Sequence, residues 1–137
     1  MSIIFINLVV DICDGKTEIV TSGTIITSPN YGNGREYPGP KDCSIAVRFE
    51  EGTSIHIEFL GVFEFEEKFC GEDGCVCFDS VQIRDGENDT SPLIITACDD
   101  KPEPMLSSGN VLLIKFASDD RDNYEGFSLQ VNQTKRK

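Results

Sequence analysis

Apolar residues recur at every second position in this chain, and no long segment places them three and four apart. That periodicity limits the fold more than any other feature. Ile45, Val47 and Phe49 share one side of SIAVRF, and Ile55, Ile57 and Phe59 one side of SIHIEF. Val81 and Ile83 do so in SVQIR, and Phe127, Leu129 and Val131 in GFSLQV. Successive side chains of a strand point to opposite faces, so each run presents one apolar and one polar side. TIIT, SPLIITAC and NVLLIKFAS supply further strands, and Phe63 and Phe65 extend the alternation beyond SIHIEF. Roughly seven to nine short strands with frequent turns predict an all-β fold, a two-layer antiparallel β-sandwich. Glu50-Glu51-Gly52-Thr53 is short and turn-like, so the runs on either side of it are expected to form a hairpin. SPNYGNGREYPGP, dense in Pro and Gly, marks a long irregular connection.

The chain has 137 residues, which suits one folding unit. Its six cysteines, Cys13, Cys43, Cys70, Cys75, Cys77 and Cys98, form an even set. In a small, loop-rich chain such a set reads as a disulfide framework made in an oxidising compartment, and so predicts a secreted, extracellular protein; spacing alone does not choose the pairing. Two sequons, Asn88-Asp89-Thr90 and Asn132-Gln133-Thr134, lie in polar segments and point the same way, as candidate glycan acceptors.

The formal charge of −12 would repel a phosphate backbone, which sets aside nucleic acid and anionic membranes as partners. The same charge suits cations and basic protein surfaces, and also simply keeps a domain soluble. MSIIFINLVV is apolar like the core of a signal peptide, but no basic segment precedes it and no small-residue cleavage site follows. Residues 1–12 are therefore read as a leader remnant or an extra edge strand, 13–132 as the domain, and 133–137 as a basic tail. No apolar stretch approaches the roughly eighteen residues that a membrane-spanning helix requires, so membrane insertion is not expected. Nothing in the sequence fixes an oligomeric state.

From Cys13 to Val131 the landmarks resemble a CUB domain, the extracellular module of complement and tolloid-type proteases, neuropilins and spermadhesins. They run in family order: Cys13; GTIITSPNYGNGREYP; Cys43 before a hydrophobic strand; IHIEFLGVFEFE; a cysteine before FDSVQIRDG; SPLIITAC; PEPMLSSGNVLLIKFASDD; and Gly126-Phe127. The resemblance implies a jelly-roll-like sandwich of two antiparallel sheets. It also implies that Cys13 pairs with Cys43, and Cys98 with the cysteine preceding Asp79. The family places that cysteine where Val76 stands here, so Cys75 and Cys77 compete for the role. Cys77 with Cys98 and Cys70 with Cys75 is the favoured arrangement; exchanging Cys75 and Cys77 is the alternative.

Three chemistries compete for CGEDGCVCFDSVQIRDG. Zinc would need a fourth Cys or His ligand, and His56, the single histidine, alternates with core residues and so faces away from them. Thiol catalysis by Cys75-Val76-Cys77 would need a cation to lower a thiol pKa, in a region that is acidic. Calcium, a hard cation, takes oxygen ligands. In calcium-binding members of the family a glutamate and two aspartates meet at one end of the sandwich, and the matching positions are Glu66, Asp79 and Asp119. Tyr37 matches a tyrosine that holds the glutamate in place. Glu64 and Glu67 are the nearby residues with which Glu66 is most easily confused. Arg121 departs from the family's Ser or Asn, so Asp122, Asp120 or a carbonyl must complete the shell.

No nucleophilic triad and no phosphate-cradling loop is present, so the chain reads as a non-enzyme. The resemblance implies a secreted module that binds Ca2+ and receives a Lys or Arg of a protein partner on its acidic edge. Its alternatives are an accessory domain of a longer secreted protease and spermadhesin-like carbohydrate binding.

Overall fold

The computed structural model describes residues 8–33, 36–119 and 124–136. In chain order the strands are β1 (Val9–Asp11), β2 (Glu18–Ile19), β3 (Thr24–Thr27), β4 (Lys41–Arg48), β5 (Thr53–Glu64), β6 (Phe69–Gly71), β7 (Gly74–Val76), β8 (Ser80–Arg84), β9 (Leu93–Ala97), β10 (Met105–Leu106), β11 (Val111–Ser118) and β12 (Gly126–Lys135). One five-stranded sheet has the order β1-β3-β12-β5-β10, a second β2-β4-β11-β8-β9, and β6-β7 form a separate ribbon. The two large sheets pack as a sandwich, as the alternation predicts. Ile45, Val47, Val81, Ile83 and Phe116 of one sheet and Ile55, Ile57, Phe59, Leu129 and Val131 of the other are all buried in a single core.

The expected hairpin between β4 and β5 does not form. The turn is there: the Thr53 amide and hydroxyl both donate to the Glu50 carbonyl, at 3.2 and 2.6 Å, and Gly52 takes a φ of +85°. Yet it arches from one sheet to the other. All eight residues of β4 pair with β11, and β5 pairs with β12 from Thr53 to Glu64. Local turn chemistry is the same for an in-sheet hairpin and an inter-sheet arch, and here the long registers decide.

Two further departures concern the edges. The pairing is mostly antiparallel, but β1 runs parallel to β3 and β2 parallel to β4. Residues 133–135, read above as the start of a basic tail, belong to β12, because β5 is long enough to offer them Thr53, Ser54 and Ile55 as partners. Val9–Asp11 form an edge strand; the first seven residues lie outside the described ones.

Candidate metal centre

β5 ends at Glu64, β8 begins at Ser80 and β11 ends at Ser118, and the β8–β11 register puts Ser80 opposite Ala117. The residues just beyond these termini therefore meet at one end of the sandwich. Aromatic side chains anchor all three approaches. Tyr37 and Phe116 pack edge to face at 5.2 Å, Phe63 and Phe65 at 4.9 Å, and Phe65 lies near Tyr37 at 5.9 Å. With Phe65 and Phe116 buried, the chain that leaves them can turn only toward the rim. Gly126 completes the wall: at a φ of +91° it sits so close to Ser28 that a Cβ would lie 1.9 Å from that hydroxyl.

Glu66, Asp79 and Asp119 each bring a carboxylate oxygen to this rim, all within 4.8 Å of one another. Calcium–oxygen bonds are about 2.3–2.6 Å, so two oxygens on one ion are at most about 5 Å apart. The cluster fits inside that limit. Its donors are all oxygen, which suits a hard cation and excludes the soft sites that thiolates make. Asp79 is completely buried and one oxygen of Glu66 is shielded from solvent. At an effective dielectric constant of about 20, each pair of charges at this spacing repels by roughly 3 kcal/mol. A divalent cation offsets that repulsion.

Asp79 is held on both sides. Its Oδ1 accepts from the Asp119 amide at 2.8 Å, and its Oδ2 accepts from the Tyr37 hydroxyl in a short hydrogen bond. Burial pushes the Asp79 carboxyl above its ordinary range and the nearby Asp119 charge adds to this, while the two donated hydrogen bonds pull the other way. Burial likewise raises the Tyr37 phenol, as do its hydrogen bond to Asp79 and the charge there, so it stays protonated as a donor. The resemblance ties Tyr37 to the glutamate; here a backbone hydrogen bond of Glu66 reaches the phenol, and the hydroxyl itself donates to Asp79, a second carboxylate that the resemblance does not name. Which carboxylate a tyrosine reaches depends on tertiary distance, and no sequence signal carries that. Sequence reasoning also missed the Asp119 amide, since any residue offers one.

Glu64 instead accepts from the Glu125 amide at 3.4 Å. Asp120, Arg121 and Asp122 lie outside the described residues. All six cysteines form disulfides, Cys13–Cys43, Cys70–Cys75 and Cys77–Cys98. Asn88 is exposed in the β8–β9 turn, where its Oδ1 accepts from the Thr90 amide at 3.1 Å and the Thr90 hydroxyl at 2.6 Å. Asn132 is half-buried within β12. His56 is half-buried on β5 opposite Leu106. Among the described residues no helix is long and apolar enough to cross a membrane.

An all-β sandwich stapled by disulfides, with an oxygen-donor cluster at the strand ends, defines a class of small extracellular-type β-modules. The chain belongs to the CUB domain family, whose pattern it matches over residues 13–131. It is 40% identical over 119 residues to Bone morphogenetic protein 1 of Xenopus laevis, which covers 86% of this chain and 15% of that protein. It is 34% identical over 120 residues to Neuropilin-2 of Mus musculus, covering 86% and 12%. The chain thus spans a small fraction of the curated relatives that it matches. Among solved structures, the MASP-1 CUB2 domain bound to Ca2+ superposes with a TM-score of 0.71 at 26% identity, covering 88% of this chain and 99% of that one. The full extracellular region of zebrafish Gpr126/Adgrg6 gives a TM-score of 0.70 at 26% identity, covering 88% and 15%.

Proposed function

We propose that this chain is a secreted, calcium-binding, non-catalytic CUB module that holds a protein partner on its acidic rim. The gathering of Glu66, Asp79 and Asp119 within 4.8 Å carries the reading, and the calcium-bound relative supports it. Those three carboxylates ligate the ion, Tyr37 orients Asp79, and Asp122 is the proposed further ligand. With one Ca2+ the three gathered carboxylates keep a local charge of −1, and −2 once Asp122 is counted, enough to receive a Lys or Arg of the partner through a charge-assisted hydrogen bond. A rim ordered before the encounter loses less entropy on association. Asn88 and Asn132 are the proposed glycan acceptors. The small share of Bone morphogenetic protein 1 that is matched favours a second reading, the same module serving as an accessory domain of a longer secreted protease.

Asp119→Ala tests the ion. The backbone amide that holds Asp79 survives this change, so the metal-free protein keeps its fold. Calcium at about a hundred times its Kd stabilises the parent by about 2.7 kcal/mol. The variant loses that increment in thermal unfolding and shows no heat of binding in a calcium titration. An undiminished calcium-dependent rise in Tm would remove Asp119 from the site.

A further inference from the structure

Between Glu66 and Asp79 the chain leaves the sandwich. Among the described residues β6 and β7 pair only with each other, and all six of their residues are exposed. It is fastened at its middle and at its root. Cys70 and Cys75, direct cross-strand partners, are bonded to each other. At the root, Cys77 is bonded to Cys98 and the Lys68 ammonium lies 2.8 Å from Asp99.

The register divides the ribbon into two faces. Phe69 stands directly opposite Val76, so their side chains share the face away from the disulfide. They are 62% and 59% exposed, and Phe78, two residues beyond Val76, is 45% exposed. Single exposed apolar residues are ordinary, but Phe69 and Val76 stand side by side on one face of a stapled projection, and Phe78 is exposed just past its root. A recess of about 660 Å³ opens beside it, lined among others by Val76, Cys77, Ile95, Cys98 and Lys101. The charges around the patch are mostly of one sign: Glu67, Glu72, Asp73 and Asp100 are all exposed.

We propose that the face of the β6–β7 ribbon formed by Phe69 and Val76, together with the exposed Phe78 past its root, is a preformed docking surface for a protein segment that pairs apolar side chains with lysine or arginine. The inference extends the proposed rim contact, because the ribbon springs from two of its carboxylates, but the apolar contact needs no ion. The acidic surroundings choose the occupant. A second copy of this chain would bring a charge of −12 against its like, whereas a basic and apolar segment gains from both components. The staples remove much of the ordering cost that so exposed a ribbon would otherwise carry into binding.

The test uses the disulfide-intact chain with calcium. The probe is a short peptide in which lysines flank leucines, and its control carries glutamate in place of each lysine. The lysine peptide shifts amide resonances of residues 69–78 and the glutamate peptide shifts none. Phe69→Ser with Phe78→Ser weakens binding at least about tenfold, as loss of central aromatic contacts does. Both side chains are exposed, so the variant keeps the parent Tm. Val20→Ser, beside β2 at the edge of the second sheet opposite β9, leaves affinity unchanged. Equal affinity of the double variant, shifts confined to other residues, or self-association through the ribbon without peptide overturns the inference. Calcium titrations separate the two readings: if the parent binds no calcium yet still takes the peptide on the ribbon, the ion assignment fails and the docking surface stands.

Discussion

The carboxylate rim and the β6–β7 ribbon are consecutive in the chain, but different physics holds each in place. The rim rests on buried aromatics: Tyr37, Phe65, Phe116 and Phe127 fix the strand ends that Glu66, Asp79 and Asp119 follow. The ribbon has no buried residue and depends on covalent bonds at its middle and root. Packing positions a group by burying its neighbours, which suits carboxylates that must converge against their own repulsion. A disulfide positions a group without burial, which suits a surface that must stay open.

Removing Phe116 is the strongest way to break this contrast. The ring is fully buried and touches Tyr37, Phe65 and Phe127. Phe116→Ala should cost about 3–5 kcal/mol in urea unfolding, through lost transfer energy and the cavity left behind. Calcium affinity falls with it, while the Cys70–Cys75 bond still forms, as peptide mapping would show. A cost below about 1 kcal/mol would mean that the rim does not rest on its aromatic floor.

The staples give a smaller and graded effect. In the chain-entropy account, closing loops of 30, 21 and 5 residues is worth about 3.6, 3.3 and 2 kcal/mol for Cys13–Cys43, Cys77–Cys98 and Cys70–Cys75. Replacing Cys77 and Cys98 by Ser should therefore destabilise the protein more than replacing Cys70 and Cys75. The second change should also leave calcium binding close to that of the parent, since that bond lies outside the rim. Equal costs, or loss of calcium binding with Cys70–Cys75, would show that the ribbon supports the rim rather than projecting from it.

These two regions were also unequally legible in the sequence. Alternation named the core because burial on one face of a strand is a local property: Ile45, Val47, Ile55, Ile57, Phe127, Leu129 and Val131 are all inside. It did not name the partners, since the same turn at Glu50–Thr53 serves a hairpin or an arch. The resemblance marked the carboxylates that the structure gathers. It could not say that Tyr37 bonds to Asp79, because that depends on distances between segments far apart in the chain. The ribbon was visible only as crowded cysteines, with no hint of which side chains would face outward.

The smallest effect is the most specific to the rim. Asp79 has its carboxyl raised above 3.8, by burial first and by the Asp119 charge as well. Between that ordinary value and the raised one, the folded state binds more protons than the unfolded state, so metal-free stability falls as pH rises and increases as pH is lowered. Urea unfolding with a chelator, at pH values descending from 7 toward the ordinary carboxyl range, should show this gain. Asp79→Asn, which has no proton to take up, should flatten the slope after allowance for the general relief of a charge of −12. Replacing Cys70 and Cys75 by Ser should lower the whole curve without changing its shape, because a disulfide does not titrate. Calcium reverses the sign: it needs ionised oxygens, so its stabilisation shrinks as the carboxyls take up protons, and the loaded protein becomes less stable over the interval in which the metal-free one gains. A metal-free slope identical in parent and Asp79→Asn would mean that burying this carboxylate costs nothing, and the rim would then lose the electrostatic reason for a cation.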